Sequence, residues 1–381
     1  MKTALLICEG MADEPVEELG ARTPLEVAKT PNMDLLTKQG SLARGSFVPG
    51  MLRPSGDVAA MSILGFDPQE FYTGIAPLEA IAMRIPQTDR TIVFRCDLVS
   101  VLDEMLIDTV SGNISPVESR ILINALNEKL SDDRIRFYPG KGFRNVLMVN
   151  DAELSEGLDE LDCVPPRTVV RQKVLKNLPK GQAASAIIDL AKASREILEN
   201  HEINKVRIDL GENPANGIWR WGQGKKPKLP TFKQRTNLEG CAVSSAVFIQ
   251  GLAEALGFEK AESVEAAFEK KDFIFAYHAL DEGRPKMDLM SKIKFIEEFD
   301  ALVVGPALKI TRGLEHRICV SADTLLPVSS QISAHGPVPI LFEGSGIELD
   351  GATVFNEKSA LESKRIFHEG HKLMEFLLKR Y

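Results

Sequence analysis

The run Thr3-Ala4-Leu5-Leu6-Ile7-Cys8, closed by Glu9-Gly10, is the feature that most narrows what this chain can fold into. A continuous apolar run without polar alternation leaves no face for solvent, so it reads as a strand buried on both sides, as in a parallel sheet with helices on both faces. Thr30-Pro31 then supplies an N-cap and a first-turn proline for a helix through Met33, Leu35 and Leu36 that ends near Gly40. After a Gly/Pro-rich stretch, Asp57 opens a second helix through Val58, Met61 and Leu64, stopped by Gly65, which places Ser55 and Gly56 at a helix N-terminus. Strands are expected again at Phe273–Tyr277, Ile318–Ser321 and Val338–Phe342, with a helix carrying Leu289, Ile293 and Ile296 on one face. A closing helix is expected over Lys358–Lys379, with Ile366, Leu373 and Leu377 along one stripe.

Between about Ile81 and Lys205 the texture changes. Strand-like pieces at Thr91–Leu98 and Asn145–Val149 alternate with helical ones at Pro116–Leu130 and Ala183–Glu199. At 381 residues the chain exceeds one ordinary core. The expected fold class is therefore α/β: a core sheet flanked by helices, formed by residues 1–80 and 206–381, with an inserted α+β domain over 81–205.

Charge and cysteine content narrow the function classes. A net charge of -8 argues against the broad basic surface that nucleic acid requires. Five scattered cysteines without a CxxC pair indicate neither a disulfide framework nor a cysteine-rich zinc site. The opening MKTALLICEGMADEP is too short in its apolar run for a signal peptide, and no stretch approaches the roughly 18 apolar residues of a membrane span. A cytoplasmic protein with neither nucleic-acid nor membrane partners is expected.

Chemistry is expected at the polar strand ends, where open α/β sheets bind ligands. Glu9, Asp281 and Asp323 fall there, and three carboxylates at one edge either hold a hard cation or cap neighbouring helices. Ser55-Gly56-Asp57 offers a hydroxyl and free backbone N–H groups, suited to a phosphoryl group or to plain capping. The segment Asn213 to Lys226 gathers both tryptophans with Asn216, Arg220 and Lys225, reading either as an anion-binding loop or as a hinge clamped by two rings. His368 and His371, three apart on the expected closing helix, lack an acidic or cysteine partner at ligand spacing, and His278 is the histidine nearest the expected site.

Together these motifs resemble the archaeal-type 2,3-bisphosphoglycerate-independent phosphoglycerate mutases of the alkaline phosphatase superfamily, over essentially the whole chain. Gly10-Met11-Ala12-Asp13, the run Thr23 to Asp34, Asp57-Val58-Ala59, Tyr72-Thr73-Gly74, Phe94-Arg95-Cys96, the Trp221-Gly222-Gln223-Gly224-Lys225 segment and Asp281-Glu282 carry the likeness. The resemblance implies an alkaline-phosphatase-like core with a substrate-capping insertion closing over a phosphoglycerate. It implies a serine that takes the phosphoryl group, two divalent metals (manganese, magnesium or zinc), and a small phosphorylated acid as substrate. Substrate contacts are expected from Arg95, Arg144, Asn216, Trp221 and Lys225, and metal contacts from Glu9, Asp281 and Asp323. Relatives of this architecture are also proposed to act as homoserine kinases.

Several chemistry-bearing positions depart from the family pattern. Glu9 stands where the family has Asp. The family's Gly-Ser-Asp reads Ser55-Gly56-Asp57, so the nucleophile position is Gly56 and the hydroxyl lies one residue early. Gly283-Arg284-Pro285 replaces the family's Ala-Gly-His, Asp323-Thr324 its Asp-His, and a later family histidine falls near Ser333. In the insertion, Asn113 and Arg167 stand for histidines and Ile75 for an arginine. A two-metal clamp stripped of several ligands and its nucleophile loses its main source of rate. A fold with weak or absent mutase activity that keeps a phosphate-ligand cleft is therefore expected. The rival expectation is a working mutase with a rebuilt site of Glu9, Ser55, Asp57, Asp281 and Asp323.

Overall fold

The apolar run forms β1 (Lys2–Cys8), buried at every position after Lys2 and hydrogen-bonded in parallel to a strand on each side. The computed structural model describes residues 1–281 and 287–379. Among them the remaining strands are β2 (Gly40–Gly45), β3 (Thr91–Leu102), β4 (Met105–Asp108), β5 (Ile135–Tyr138), β6 (Arg144–Asn150), β7 (Gly217–Gly224), β8 (Gly240–Val243), β9 (Glu259–Lys260), β10 (Phe273–His278), β11 (His316–Ala322), β12 (Val338–Gly344) and β13 (Ile366–Phe367). Two compact units result, one of Met1–Tyr72 with Lys228–Tyr381 and one of Thr73–Pro227.

The first unit holds an eight-stranded sheet in the order β13-β2-β12-β11-β1-β10-β8-β9. Its centre is parallel, and β12 runs antiparallel between β11 and β2. Cys8 lies opposite both His278 and Ala322, so Glu9, Ala279 and Asp323 leave the sheet at one level. This register places the candidate chemistry. The helix Pro31–Lys38 starts as expected, yet Thr30 makes no side-chain cap; the buried Asp300 carboxylate instead accepts the N–H groups of Asn32 and Met33 at 3.1 and 2.7 Å.

The second unit is a five-stranded antiparallel sheet, β4-β3-β6-β5 with β7 paired to β3. One face of β3, through Ile92, Phe94, Cys96 and Leu98, packs under the helices Pro116–Leu130 and Ala184–Glu199.

Three expectations are corrected. The domain boundaries at 80/81 and 205/206 cut through helices: Ile75–Ala82 packs Ala76 and Ala80 on Val93 and Val146, and β7 belongs to the β3 sheet. The segment around Trp219 and Trp221 is a mostly buried strand, not a loop. The closing helix is broken into the helix Glu357–Glu362, strand β13 and the helix Leu373–Leu378. There β13 pairs with the edge of β2, and Phe367 packs on Phe342 and Phe376, gains that outweigh helical periodicity. His368 and His371 therefore do not share a helix face.

Candidate active site

Residue 56 opens the helix Gly56–Ile63, preceded by Ser55 in extended conformation with a side chain that makes no capping bond. What faces Gly56 decides its chemistry. A Cβ built there would lie 2.6 Å from the Tyr277 hydroxyl and 2.9 Å from Oδ2 of Asp323. Tyr277, on β10, is fully enclosed and packed edge-on to Phe248. The space that a nucleophilic side chain would use at position 56 is filled by a phenol.

That phenol belongs to a closed set of hydrogen bonds around Asp323. Tyr277 donates to Oδ2 at 2.7 Å, while Oδ1 accepts the N–H of Gly10 at 2.7 Å, the N–H of Thr324 at 2.6 Å and the Thr324 hydroxyl at 3.3 Å. Burial pushes the Asp323 carboxyl above the usual range, against the pull of its donors, and pushes the Tyr277 phenol and the Cys8 thiol up as well. Gly10 has φ +59°, and a Cβ there would lie 2.4 Å from Cδ2 of Leu326, so the turn that aims its N–H at Asp323 requires glycine. The Thr324 hydroxyl also reaches Ser333 at 3.4 Å, so two of the places where the resemblance puts family histidines carry hydroxyls that meet here.

The residues present do not fit the metal pair that the resemblance implies. Both oxygens of Asp323 accept from protein donors, and Oε2 of Glu9 accepts the N–H of Leu280 at 2.8 Å. Asp281 is exposed. Glu282 and the Gly283-Arg284-Pro285 departure lie outside the described residues. Among the described residues no three of His, Cys, Asp and Glu come together as metal ligands. His278 stacks on Phe295, with ring centroids 4.4 Å apart, and burial lowers its pKa. Asp57 is buried and takes a hydrogen bond from Tyr72.

Two features of this region escaped the sequence reading. Lys292 is buried, and its ammonium donates to Oδ2 of Asp13 at 2.6 Å and to the carbonyls of Leu326 and Ala12 at 2.7 and 3.2 Å; burial nevertheless lowers its pKa. Asp13 is tied in turn to Glu357, which also accepts the Thr23 hydroxyl at 2.7 Å. The available signal was a lysine three residues after Leu289 and four before Ile296, on the apolar stripe. For Tyr277 it was a phenol on a core strand that needs a polar partner.

The expected substrate residues all lie in the second unit and are already partnered. Arg95 is buried, pairs with Oε2 of Glu79 at 2.9 Å and stacks 4.7 Å above the Trp221 ring, whose N–H donates to Asp97 at 2.7 Å. The Asn216 amide clamps the backbone of Val101 through both of its ends, at 2.8 and 2.9 Å. Arg144 is half-buried over Phe143. Lys225 is half-exposed and pairs with Asp159 at 2.8 Å.

Comparison with known proteins agrees with this architecture. A sequence model described as 2,3-bisphosphoglycerate-independent phosphoglycerate mutase matches residues 38–204. The enzyme of that name from Methanothrix thermoacetophila is 35% identical, over 99% of this chain and 100% of its own length. A probable mutase of the same kind from Geobacter sulfurreducens is 33% identical over 100% of both chains. A solved Pyrococcus horikoshii protein superposes with a TM-score of 0.76 at 23% identity, covering 100% of this chain and 98% of that one. The cofactor-independent phosphoglycerate mutase from Thermoplasma acidophilum gives 0.59 at 25% identity over 99% of each. With full-length relatives above 30% identity and the same fold, the chain belongs to the 2,3-bisphosphoglycerate-independent phosphoglycerate mutase family.

Proposed function

We propose that this member holds a small phosphorylated acid without performing the family's metal-dependent turnover. The observation that carries the reading is the Tyr277 hydroxyl and Asp323 carboxylate standing 2.6 and 2.9 Å from where a side chain at residue 56 would begin. A nucleophile there needs open space in front of it and a cation beside it. Here the space is packed and the nearest buried carboxylate is satisfied by N–H and O–H donors. Ligand holding is supported by the N-terminus of the helix Gly56–Ile63, where the half-buried Ser55 hydroxyl makes no cap and backbone N–H groups remain for an oxyanion.

The test uses the purified full chain, loaded with manganese and incubated with 3-phosphoglycerate. Conversion is followed by phosphorus NMR, bound metal by mass spectrometry of the desalted protein, and ligand binding by calorimetry. The expected result is saturable binding without stoichiometric metal and without conversion above a chelator-treated control. Chelator-sensitive conversion, or intact protein carrying a phosphoryl group on Ser55, would overturn the reading in favour of a rebuilt carboxylate site.

A further inference from the structure

The second unit carries a cavity that neither the family reaction nor the reading above employs. It measures about 120 Å3 and runs along the outer edge of β7, with Val99, Val101, Leu178, Ile188 and Trp219 among its walls. The Trp219 N–H is already spent on the carbonyl of Val164 at 2.8 Å, so the ring offers the cavity only apolar surface. Such a lining by itself would be a packing defect.

One lining residue changes its meaning. Arg220 borders the same cavity and is only 6% exposed. Of its five N–H groups, one donates to the carbonyl of Ile218 at 2.8 Å; Nε is buried without a hydrogen-bond partner, and no carboxylate among the described residues pairs with the guanidinium. The titratable groups that act on it electrostatically are the thiols of Cys96 and Cys163, and burial raises the pKa of Cys96 to about 12, so that sulfur is no counter-ion at neutral pH. Burial lowers the pKa of the guanidinium itself. A buried cation without an anion is among the costlier arrangements in a protein interior, and buried charges are ordinarily paired. At the rim, Arg195 is held by Glu104 at 2.9 Å and Lys192 by Asp189 at 3.1 Å, so neither of their carboxylates is committed to Arg220.

We infer that this cavity is a binding site for a short branched aliphatic carboxylate, its oxygens on the Arg220 guanidinium and its alkyl end against the valine, leucine and tryptophan walls. The forked N–H groups of arginine match a carboxylate in plane and spacing. Size sets the chain length: an apolar cavity of about 150 Å3 takes up benzene, so 120 Å3 suits the alkyl part of a five- or six-carbon acid. The inference involves no residue of the first unit and does not depend on whether that unit turns over phosphoglycerate.

The probes are 3-methylbutanoate and its neutral isostere 3-methylbutanamide, titrated into the full chain by calorimetry and ligand-observed NMR. One-to-one saturable binding of the acid, with the amide weaker by roughly tenfold or more, is expected from the loss of a charged hydrogen bond. Arg220→Met keeps the buried stem and is expected to erase the preference for the acid. Ala191→Leu, which fills the cavity from the helix Ala184–Glu199, is expected to abolish binding of both probes while the charge at residue 220 stays in place. Absence of saturable binding at millimolar acid, equal affinity for acid and amide, or binding unchanged by Ala191→Leu would each overturn the inference. The two variants fail independently, so misfolding of one leaves the other decisive.

Discussion

Gly56→Ser would put a hydroxyl at the position that the resemblance assigns to the nucleophile, and the structure gives the cost. The new Cβ would stand 2.6 Å from the Tyr277 hydroxyl and 2.9 Å from Oδ2 of Asp323, both well inside the ~3.5 Å of ordinary nonbonded contact. Tyr277 cannot swing aside, being buried against Phe248 and held by its bond to Asp323. Overpacking of this kind costs about 1–3 kcal/mol, and because Gly56 is the first residue of its helix the mid-helix gain from replacing glycine does not offset it, so a loss of about 1–3 kcal/mol is expected. Tyr277→Phe removes a donor from a buried carboxylate and is expected to cost about 1.5–3 kcal/mol. In the double variant the new serine hydroxyl takes the vacated place and donates to Asp323, so the losses should fall short of additivity by about 1 kcal/mol or more. Both tryptophans lie in the other unit, so their fluorescence reports the wrong transition; pulse proteolysis in urea, read on peptides of the first unit, is the suitable assay. A Gly56→Ser variant as stable as the parent, or a cycle additive within about 0.5 kcal/mol, would refute the reasoning. On the function proposed above, no mutase turnover is expected in any of the three variants.

Further outcomes follow from the same geometry. Arg95→Ala breaks the buried pair with Glu79 and should destabilise the second unit by about 3–5 kcal/mol, whereas Lys225→Ala breaks a half-exposed pair worth under about 1 kcal/mol; chemical denaturation followed by tryptophan fluorescence compares the two. The hydrogen bond to Glu343 raises the pKa of His316, so its contribution is fully present below the unfolded value near 6.5 and is lost as pH rises through the higher folded value. His316→Gln should flatten that part of the stability profile of the first unit. Burial lowers the pKa of His278, so its contribution has the opposite sign: present above about 6.5 and lost as pH falls through the depressed value, a slope that His278→Phe should remove. Millimolar manganese or a chelator should leave the melting temperature of the first unit unchanged, since a ligand shifts stability only when it prefers the folded state.

The sequence made the scaffold legible where the hydrophobic period was unambiguous. The strands at β1, β3, β6, β10, β11 and β12 and the helices Pro31–Lys38, Pro116–Leu130 and Leu289–Phe299 all follow from period-two, continuous-apolar or 3.6-residue patterns. What failed was decided by partners far away in the chain. The Lys358–Lys379 stripe satisfies a helix, yet β2 offers an open edge that local periodicity cannot register. The tryptophan segment carries the polar and glycine residues of a loop, and only the pairing of β7 with β3 shows that they line a strand. The substitutions at residues 56 and 324 were readable as departures; their consequence was not, because it depends on Tyr277, which no motif singles out.

These changes are best understood as one packing solution. A carboxylate buried at the end of a central strand has two ways to remain in the interior: beside a cation, or surrounded by hydrogen-bond donors. Asp323 takes the second, with Gly10, Thr324 and Tyr277 supplying the donors. A threonine at 324 provides both an N–H and an O–H where an imidazole would provide a metal ligand. A glycine at 56 is what makes room for the Tyr277 hydroxyl, because any larger side chain begins inside its contact distance. A serine at 56 or a histidine at 324, introduced alone, therefore leaves the Tyr277 donor on Asp323 in place. A lone serine at 56 meets the phenol, and a lone histidine at 324 displaces a donor that Asp323 needs. The phenol of Tyr277 is the one donor on Oδ2 among the bonds described, so a change at 277 is what would free that oxygen, and a side chain restored at 56 or 324 depends on that change first; this dependence separates a repacked site from one that has merely lost a ligand.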